Sequence, residues 1–197
     1  MNNNIKWAID QAHSSINFKI RHLMIAHIRG QFRKFDASIY TNNNDFTTAE
    51  IDVWIDASSI DTGNSERDQH LKGPDFLDVA NYPQISFVSG TVSKQDDDGK
   101  HVMWGDLTIK GVSRAVKMVV EFGGVIESQP GLRKSGFLVD GKINRSDWGI
   151  IFNAPLLDGG VMVGEEVRIE CEVELQSDKN KEQTMELEER TKANHIL

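Results

Sequence analysis

The stretch SIDTGNSERDQHLKGPDFLDVANYPQISF, Ser59–Phe87, crowds Asp61, Glu66, Arg67, Asp68, His70, Lys72, Asp75 and Asp78 between two strand-like runs. These are residue types from which a hydrolytic site can be built. His70 could act as general base, one of Asp68, Asp75 and Asp78 as its orienting acid, and Ser59 or Ser65 as nucleophile. The frame for such a serine is missing, because no G-x-S-x-G turn surrounds either hydroxyl. The acids fall instead where helix caps and turns use them. The expectation is a lid without catalytic residues, in which Arg67 and Asp68 pin the loop to the wall beneath it by hydrogen bonds.

Other chemistry-bearing residues are more scattered. His13, His22, His27, His70, His101 and His195 form no HExxH or close pair, and Cys171 is the single cysteine, so no metal site is expected. His13 and His22 read either as strand-end histidines or as hydrogen-bond donors to a ligand headgroup. Arg145 and Asp147 in NRSDWGI offer two readings as well. One is a fixed guanidinium for a carbonyl, phenol or phosphate oxygen; the other is a corner ion pair that orients Trp148. Neither G-x-G-x-x-G nor GxxxxGK[ST] occurs, so no nucleotide cofactor is supported, and IKGVSR reads as a tight turn between strands.

The elements that must position these residues follow a period of two. In VRIECEVEL, Val167, Ile169, Cys171, Val173 and Leu175 fall on one side, with Arg168, Glu170, Glu172 and Glu174 on the other. SINFKIRHL, AEIDVWID, AVKMVVEF and GFLVDGKI repeat the pattern, and about eight to ten such runs fit an antiparallel barrel or sandwich. Cys171, on the inward side, reads as an inert small hydrophobe. Gly30, Gly105 and Gly141 interrupt strands, where a missing side chain marks a bend or a close approach. Between strands, Asn64 or Ser65 can cap a short helix over ERDQHL that Gly73-Pro74 ends, giving a helical lid segment near 64–79. From 177 to 197 the chain is charged and helix-favouring with a thin apolar stripe, so it reads as an extension outside a domain spanning 1–176.

Bulk properties narrow the function. The 197 residues suit one domain, and 22 basic against 30 acidic residues give a net charge of −8. That balance argues against nucleic acid or an anionic membrane surface as main partner. One cysteine excludes an internal disulfide. The start MNNNIKWAID has no basic n-region or apolar h-region, and no stretch approaches a membrane span. The expectation is a cytoplasmic protein without stable membrane insertion, or a periplasmic one if a signal peptide has been trimmed.

Four blocks, WAIDQAHSSINFKIRHL, IDASSIDTGNSERDQHLKGPDFLDVANYPQISFVS, GDLTIKGVSRAV and INRSDWGI, resemble in order the YceI-like family, over roughly Trp7 to Leu175. The resemblance implies a lipocalin-like antiparallel barrel, a homodimer, and a long apolar pore for polyisoprenoids, quinone-like isoprenoids or fatty-acyl amides, without established catalysis. The acidic C-terminal extension has no counterpart in it.

The expected fold is therefore all-β, an antiparallel lipocalin-like barrel of about eight strands. An eight-stranded barrel is wide enough to be filled by side chains or to hold one small ligand. The inward residues are apolar, so an occupant should be a long apolar lipid, with no cofactor. The expected wall is Phe18, Ile20, Phe32, Ile51, Val53, Phe76, Phe87, Leu107, Phe137, Val139 and Trp148, with His22, Arg67, His70 and Arg145 as candidate headgroup contacts. Two alternatives stand beside a carrier: a barrel enzyme acting on an isoprenoid through His70 or His22, and a solid-core protein whose acidic tail binds a basic partner.

Overall fold

A computed structural model describes residues 4–23, 25–94, 96–154 and 162–178. The extension expected over 177–197 lies outside these from residue 179 onward.

Eight antiparallel strand paths meander in chain order and close on themselves. The first path is β1 (Asn4–Ile9) with β2 (Ser15–His22), and the second is β3 (Ala26–Phe32) with β4 (Phe35–Asn42). The third joins β5 (Asp45–Asp56) to β6 (Ile60–Asp61) through a 3-10 turn at Ala57–Ser59. After helix α1 (Ser65–Lys72) come β7 (Gln84–Val92), β8 (Lys100–Ile109), β9 (Val112–Gln129) and β10 (Leu132–Asn144). A 3-10 turn at Arg145–Trp148 precedes the last strand, β11 (Val163–Asp178). The last path closes the barrel on the first: Phe18 lies opposite Ile169, and Ile9 opposite Leu175.

The alternation in sequence sets which face is inside. Along β11, Val167, Ile169, Cys171, Val173 and Leu175 turn to the interior, as their period requires. Glu170 and Glu174 lie on the outer face but are half-buried rather than free in solvent, since Lys19 and Lys134 close over them as ion pairs. β11 also continues past the expected boundary at 176, with Ser177 opposite Arg133 and Asp178 opposite Leu132.

The kinks in the first three paths were not visible as breaks in hydrophobic period. Residues 10–14 bulge out opposite Glu174, whose carbonyl accepts from Asp10 N–H (2.8 Å) and whose N–H donates to Ser14 Oγ (2.9 Å). Such bulges bend and twist a strand, which helps a sheet curl into a barrel. The interrupting glycines serve close approach. A Cβ at Gly105 would lie 2.4 Å from the Phe87 ring and 2.5 Å from the Val88 carbonyl oxygen, and Phe18 crosses Gly30 in the same way. IKGVSR is the tight turn expected, with Lys110 and Gly111 both at positive φ (49° and 71°), as a two-residue hairpin turn demands.

α1 covers one end of the barrel. Its N-cap is Asn64, whose Oδ1 accepts from Arg67 N–H at 2.9 Å, and Glu66 and Asp68 occupy the first turn, where the helix dipole favours them. Leu71 and, beyond the helix, Phe76 and Leu77 pack down onto the main core. The other end is plugged by Ile5, Trp7, Ile39 and Leu175. There the indole N–H of the fully buried Trp7 donates to Thr41 Oγ1 (2.8 Å), and the Arg133 guanidinium lies over its ring.

Candidate functional site

Between plug and lid the barrel encloses a cavity of about 590 Å³, within the range of pockets that hold a small-molecule ligand. Its wall is almost entirely hydrocarbon. All eleven expected wall residues, Phe18, Ile20, Phe32, Ile51, Val53, Phe76, Phe87, Leu107, Phe137, Val139 and Trp148, line it. Phe18, Ile20, Phe137 and Val139 are only half-buried although they point inward, because they face open space rather than other side chains. A filled core would bury them. Trp148 is 2% exposed and caps the lid end, its indole N–H donating to the Leu107 carbonyl at 3.1 Å.

Four wall residues of weight had no signal in the sequence. Phe46 floors the cavity, packing at 5.0 Å from Trp7, 5.1 Å from Phe122 and 4.8 Å from Phe137 between ring centroids. It sits in NNNDFTTAE, where polar neighbours hide any period. Phe152 follows a non-periodic loop, and Asn17 and His101 also reach the wall. Only closure of the barrel brings these together.

The polar candidates gather at the lid. His22, Arg67, His70 and Arg145 all border the cavity. Arg67 and Asp68 fasten the lid as expected, but to Thr62 just ahead of the helix. Arg67 Nε donates to Thr62 Oγ1 (2.7 Å) and Nη2 to its carbonyl (2.8 Å), while Asp68 Oδ1 accepts from Thr62 N–H (2.9 Å) and Oγ (2.6 Å). The remaining nitrogen of Arg67, Nη1, has no acceptor among the described residues.

His70 lies 3.2 Å from Asp75 through Nε2, and its ring stands edge-on between Phe76 (5.0 Å) and Phe152 (4.9 Å). Ser59 is turned away into its own turn, donating to the Asp56 carbonyl at 2.6 Å. Among the described residues no serine hydroxyl is hydrogen-bonded to His70, so the base–nucleophile pair of the enzyme reading is not assembled.

Arg145 departs from both readings offered for it. Its ion-pair partner is Glu165 (3.9 Å) rather than Asp147, and its donors go to carbonyls: Nε to Gly164 O (2.8 Å), Nη1 to Ile150 O (2.7 Å) and Phe152 O (2.8 Å), and Nη2 to Val163 O (3.4 Å). At 5% exposure its guanidinium is a brace that draws residues 150–152 and 163–164 together under the lid. Sequence spacing favoured Asp147 because it is near in the chain, whereas the carbonyls come from a fold-back that no local pattern encodes.

Electrostatics mark the cavity as apolar. Cys171 lies opposite Val139 on the inward face, and burial pushes its thiol up to about 12 from 9.0. It behaves as the small hydrophobe expected. On the outside, closure brings Asp10, His13 and Glu174 together, a constellation with metal-ligating residue types that chain distance concealed. The Lys134 ammonium already bonds to both Asp10 and Glu174, and supplies the positive charge there. The hydrogen bond from His13 holds the Asp10 carboxyl below its usual range.

The YceI-like domain model matches residues 7–175. The chain belongs to the YceI-like domain family. A UPF0312 protein of Staphylococcus aureus is 40% identical over 169 residues, covering 85% of this chain and 95% of the relative. A UPF0312 protein of Staphylococcus epidermidis is 39% identical over 174 residues, covering 88% and 98%. Among solved structures, the YceI protein of Campylobacter jejuni is 38% identical with a TM-score of 0.59, covering 71% of this chain and 81% of its own. A polyisoprenoid-binding domain from Saccharophagus degradans shares the fold at a TM-score of 0.61 and 13% identity, covering 88% and 99%. Burkholderia cenocepacia BcnA does so at 0.70 and 24% identity, covering 84% and 98%.

Proposed function

We propose that this YceI-like barrel binds one long-chain apolar lipid in its cavity and carries it in that sheltered form. The observation that carries the reading is the cavity itself, about 590 Å³ walled by hydrocarbon from an aromatic floor to a polar-rimmed lid. The polyisoprenoid-binding description of the Saccharophagus degradans neighbour supports an isoprenoid-type chain. Mechanism here is burial without bond-making. Each methylene moved from water into the cavity contributes about 0.8 kcal/mol, so a long chain binds tightly with few polar contacts.

Arg67 and His70 are the headgroup contacts in this proposal. Arg67 Nη1 has no acceptor among the described residues, and His70 presents a ring nitrogen beside Asp75 at the lid. Arg145, its donors occupied by carbonyls, acts through position: it holds Ile150 and Phe152 as part of the wall. His22 borders the cavity beside Val163.

The test is titration of lipid-stripped protein with a homologous series of fluorescently tagged prenyl and acyl chains. Binding is expected to saturate at one chain per barrel. Affinity should rise about fourfold per methylene until the cavity fills, then level off. Affinity independent of chain length would overturn the reading.

A further inference from the structure

The net charge of −8 conceals an acid-free stretch. No Asp or Glu occurs between Asp10 and Asp36, whereas Lys19, Arg21, Arg29, Arg33 and Lys34 do. β2 and β3 fold part of it into a hairpin whose outer face sets Lys19 opposite Arg29 and Arg21 opposite His27. Like charges directly opposite one another weaken a sheet, so this face calls for an anionic counterpart. Lys19 has one in the fold, Glu170 at 2.7 Å. Arg21, His27 and Arg29 are exposed and form no ion pair among the described residues. Of the acids on the adjoining β11 strand, Glu166 is engaged by Lys142 and Arg168, and Glu170 by Lys19, with the Arg29 charge acting on Glu170 from farther off.

The tip of the same hairpin is apolar and outward. Leu23 is 47% and Ile25 86% exposed, and Ile151, on the loop leading to Ala154, is 75% exposed. Leu23 holds this pose at φ 48°, a left-handed conformation that normally falls to Gly or Asn. The tip is also stitched to the cavity rim. Leu23 N–H donates to the Met162 carbonyl (2.9 Å) and Met162 N–H to the Ala154 carbonyl (3.2 Å). Met162, Ala154 and the neighbouring His22 all line the cavity.

We infer that the β2–β3 hairpin docks the mouth of the barrel on an anionic lipid bilayer. Leu23 and Ile25 enter the interfacial layer, and Arg21 and Arg29, with His27 between them on the outer face, meet anionic headgroups. The local charge reverses what the whole-chain balance suggests about membranes. The inference builds on the lipid-carrier reading, for which it supplies a route: a chain passing from bilayer to cavity along the apolar tip of the hairpin is shielded from water on the way.

The experiment is co-sedimentation of the full chain with phosphatidylcholine vesicles, with and without phosphatidylglycerol, at low and high salt. In parallel, uptake of a tagged prenyl chain is measured from vesicles and from detergent micelles. Wild type should bind the anionic vesicles at low salt and the neutral ones weakly. The double variant Arg21→Gln/Arg29→Gln should lose about thirtyfold in vesicle binding. Leu23→Asn/Ile25→Ser, which keeps a residue suited to positive φ, should lose the binding that survives high salt. Both variants should keep the wild-type melting temperature and load normally from micelles. Wild type that ignores anionic vesicles, or variants that bind them as well as wild type, overturns the docking inference and leaves the carrier reading standing. Vesicle binding with no uptake from either source does the reverse.

Discussion

Placing a carboxylate on the cavity wall separates a carrier from a solid core. Val139 lies on β10 between Val120 and Cys171 and faces the cavity. Cys171 gives the direction of the effect on this wall: burial pushes its thiol up to about 12 from 9.0, against the anion. In the lipid-free barrel, Val139→Asp can be hydrated by water in the cavity, so the fold should persist with a smaller loss. When a lipid enters, that water leaves, and the anion must be desolvated or take up a proton. Taking up a proton caps the penalty, so lipid affinity at neutral pH should fall by up to about a thousandfold, the gap of about three units between pH 7 and a carboxyl near 3.9, while Val139→Ala changes it far less.

The sign with pH is fixed. Burial raises the folded-state pKa of the new acid above its unfolded value of about 3.9, so the native state keeps the proton longer. The penalty is therefore absent below the unfolded pKa and grows as pH rises. Binding should recover on acidification. Fluorescent-lipid titration and urea denaturation on the same samples read both quantities. Unchanged affinity in Val139→Asp would refute the placement of the lipid. Outright unfolding, together with a wild type that takes up no lipid, would establish the solid core instead.

Three further outcomes follow from contacts described above. Gly105→Ala meets the Val88 carbonyl as well as the Phe87 ring and should cost about 1–3 kcal/mol by urea denaturation, whereas Gly141→Ala meets only the flexible end of Met118 at close range and should cost less. Arg145→Ala takes the guanidinium donors from the carbonyls of Ile150, Phe152 and Gly164, while Val163 O keeps Asn153 Nδ2, and should lower stability by about 2–4 kcal/mol, with Arg145→Lys recovering only part of it, since an ammonium cannot span that fork. Asp10 titrates below its ordinary value of 3.8, first through its bond to His13, so its stabilising contribution is present above the unfolded pKa and is lost as pH falls through the lowered one. In His13→Ala, the Asp10 carboxyl followed by NMR should titrate closer to 3.8.

Much of this was legible in the chain because burial on one face of a strand writes a period of two. VRIECEVEL and GFLVDGKI declare their inward residues without help from the fold, and the cap-forming pair Asn64-Ser65 marks the start of α1, where the structure uses Asn64. The wall could be read for the same reason, since in a barrel the inward positions are the cavity wall. Three features could not be read. The bulge at 10–14 leaves hydrophobic order intact on either side. Phe46 acquires its place as cavity floor only when β5 meets β9 and β10. Arg145 answers to carbonyls that the loop return from β11 supplies. Each depends on closure, which is a long-range property, and the hairpin's basic face was likewise hidden by a net charge summed over the whole chain.

The central claim, one apolar lipid held in the barrel, is tested most directly by native mass spectrometry of freshly purified protein, followed by organic extraction. The account predicts a species heavier than the bare chain by the mass of one long-chain lipid, with that lipid recovered in the organic phase and the adduct diminished in Val139→Asp. A bare-chain mass both on purification and after incubation with excess prenyl lipid would contradict it.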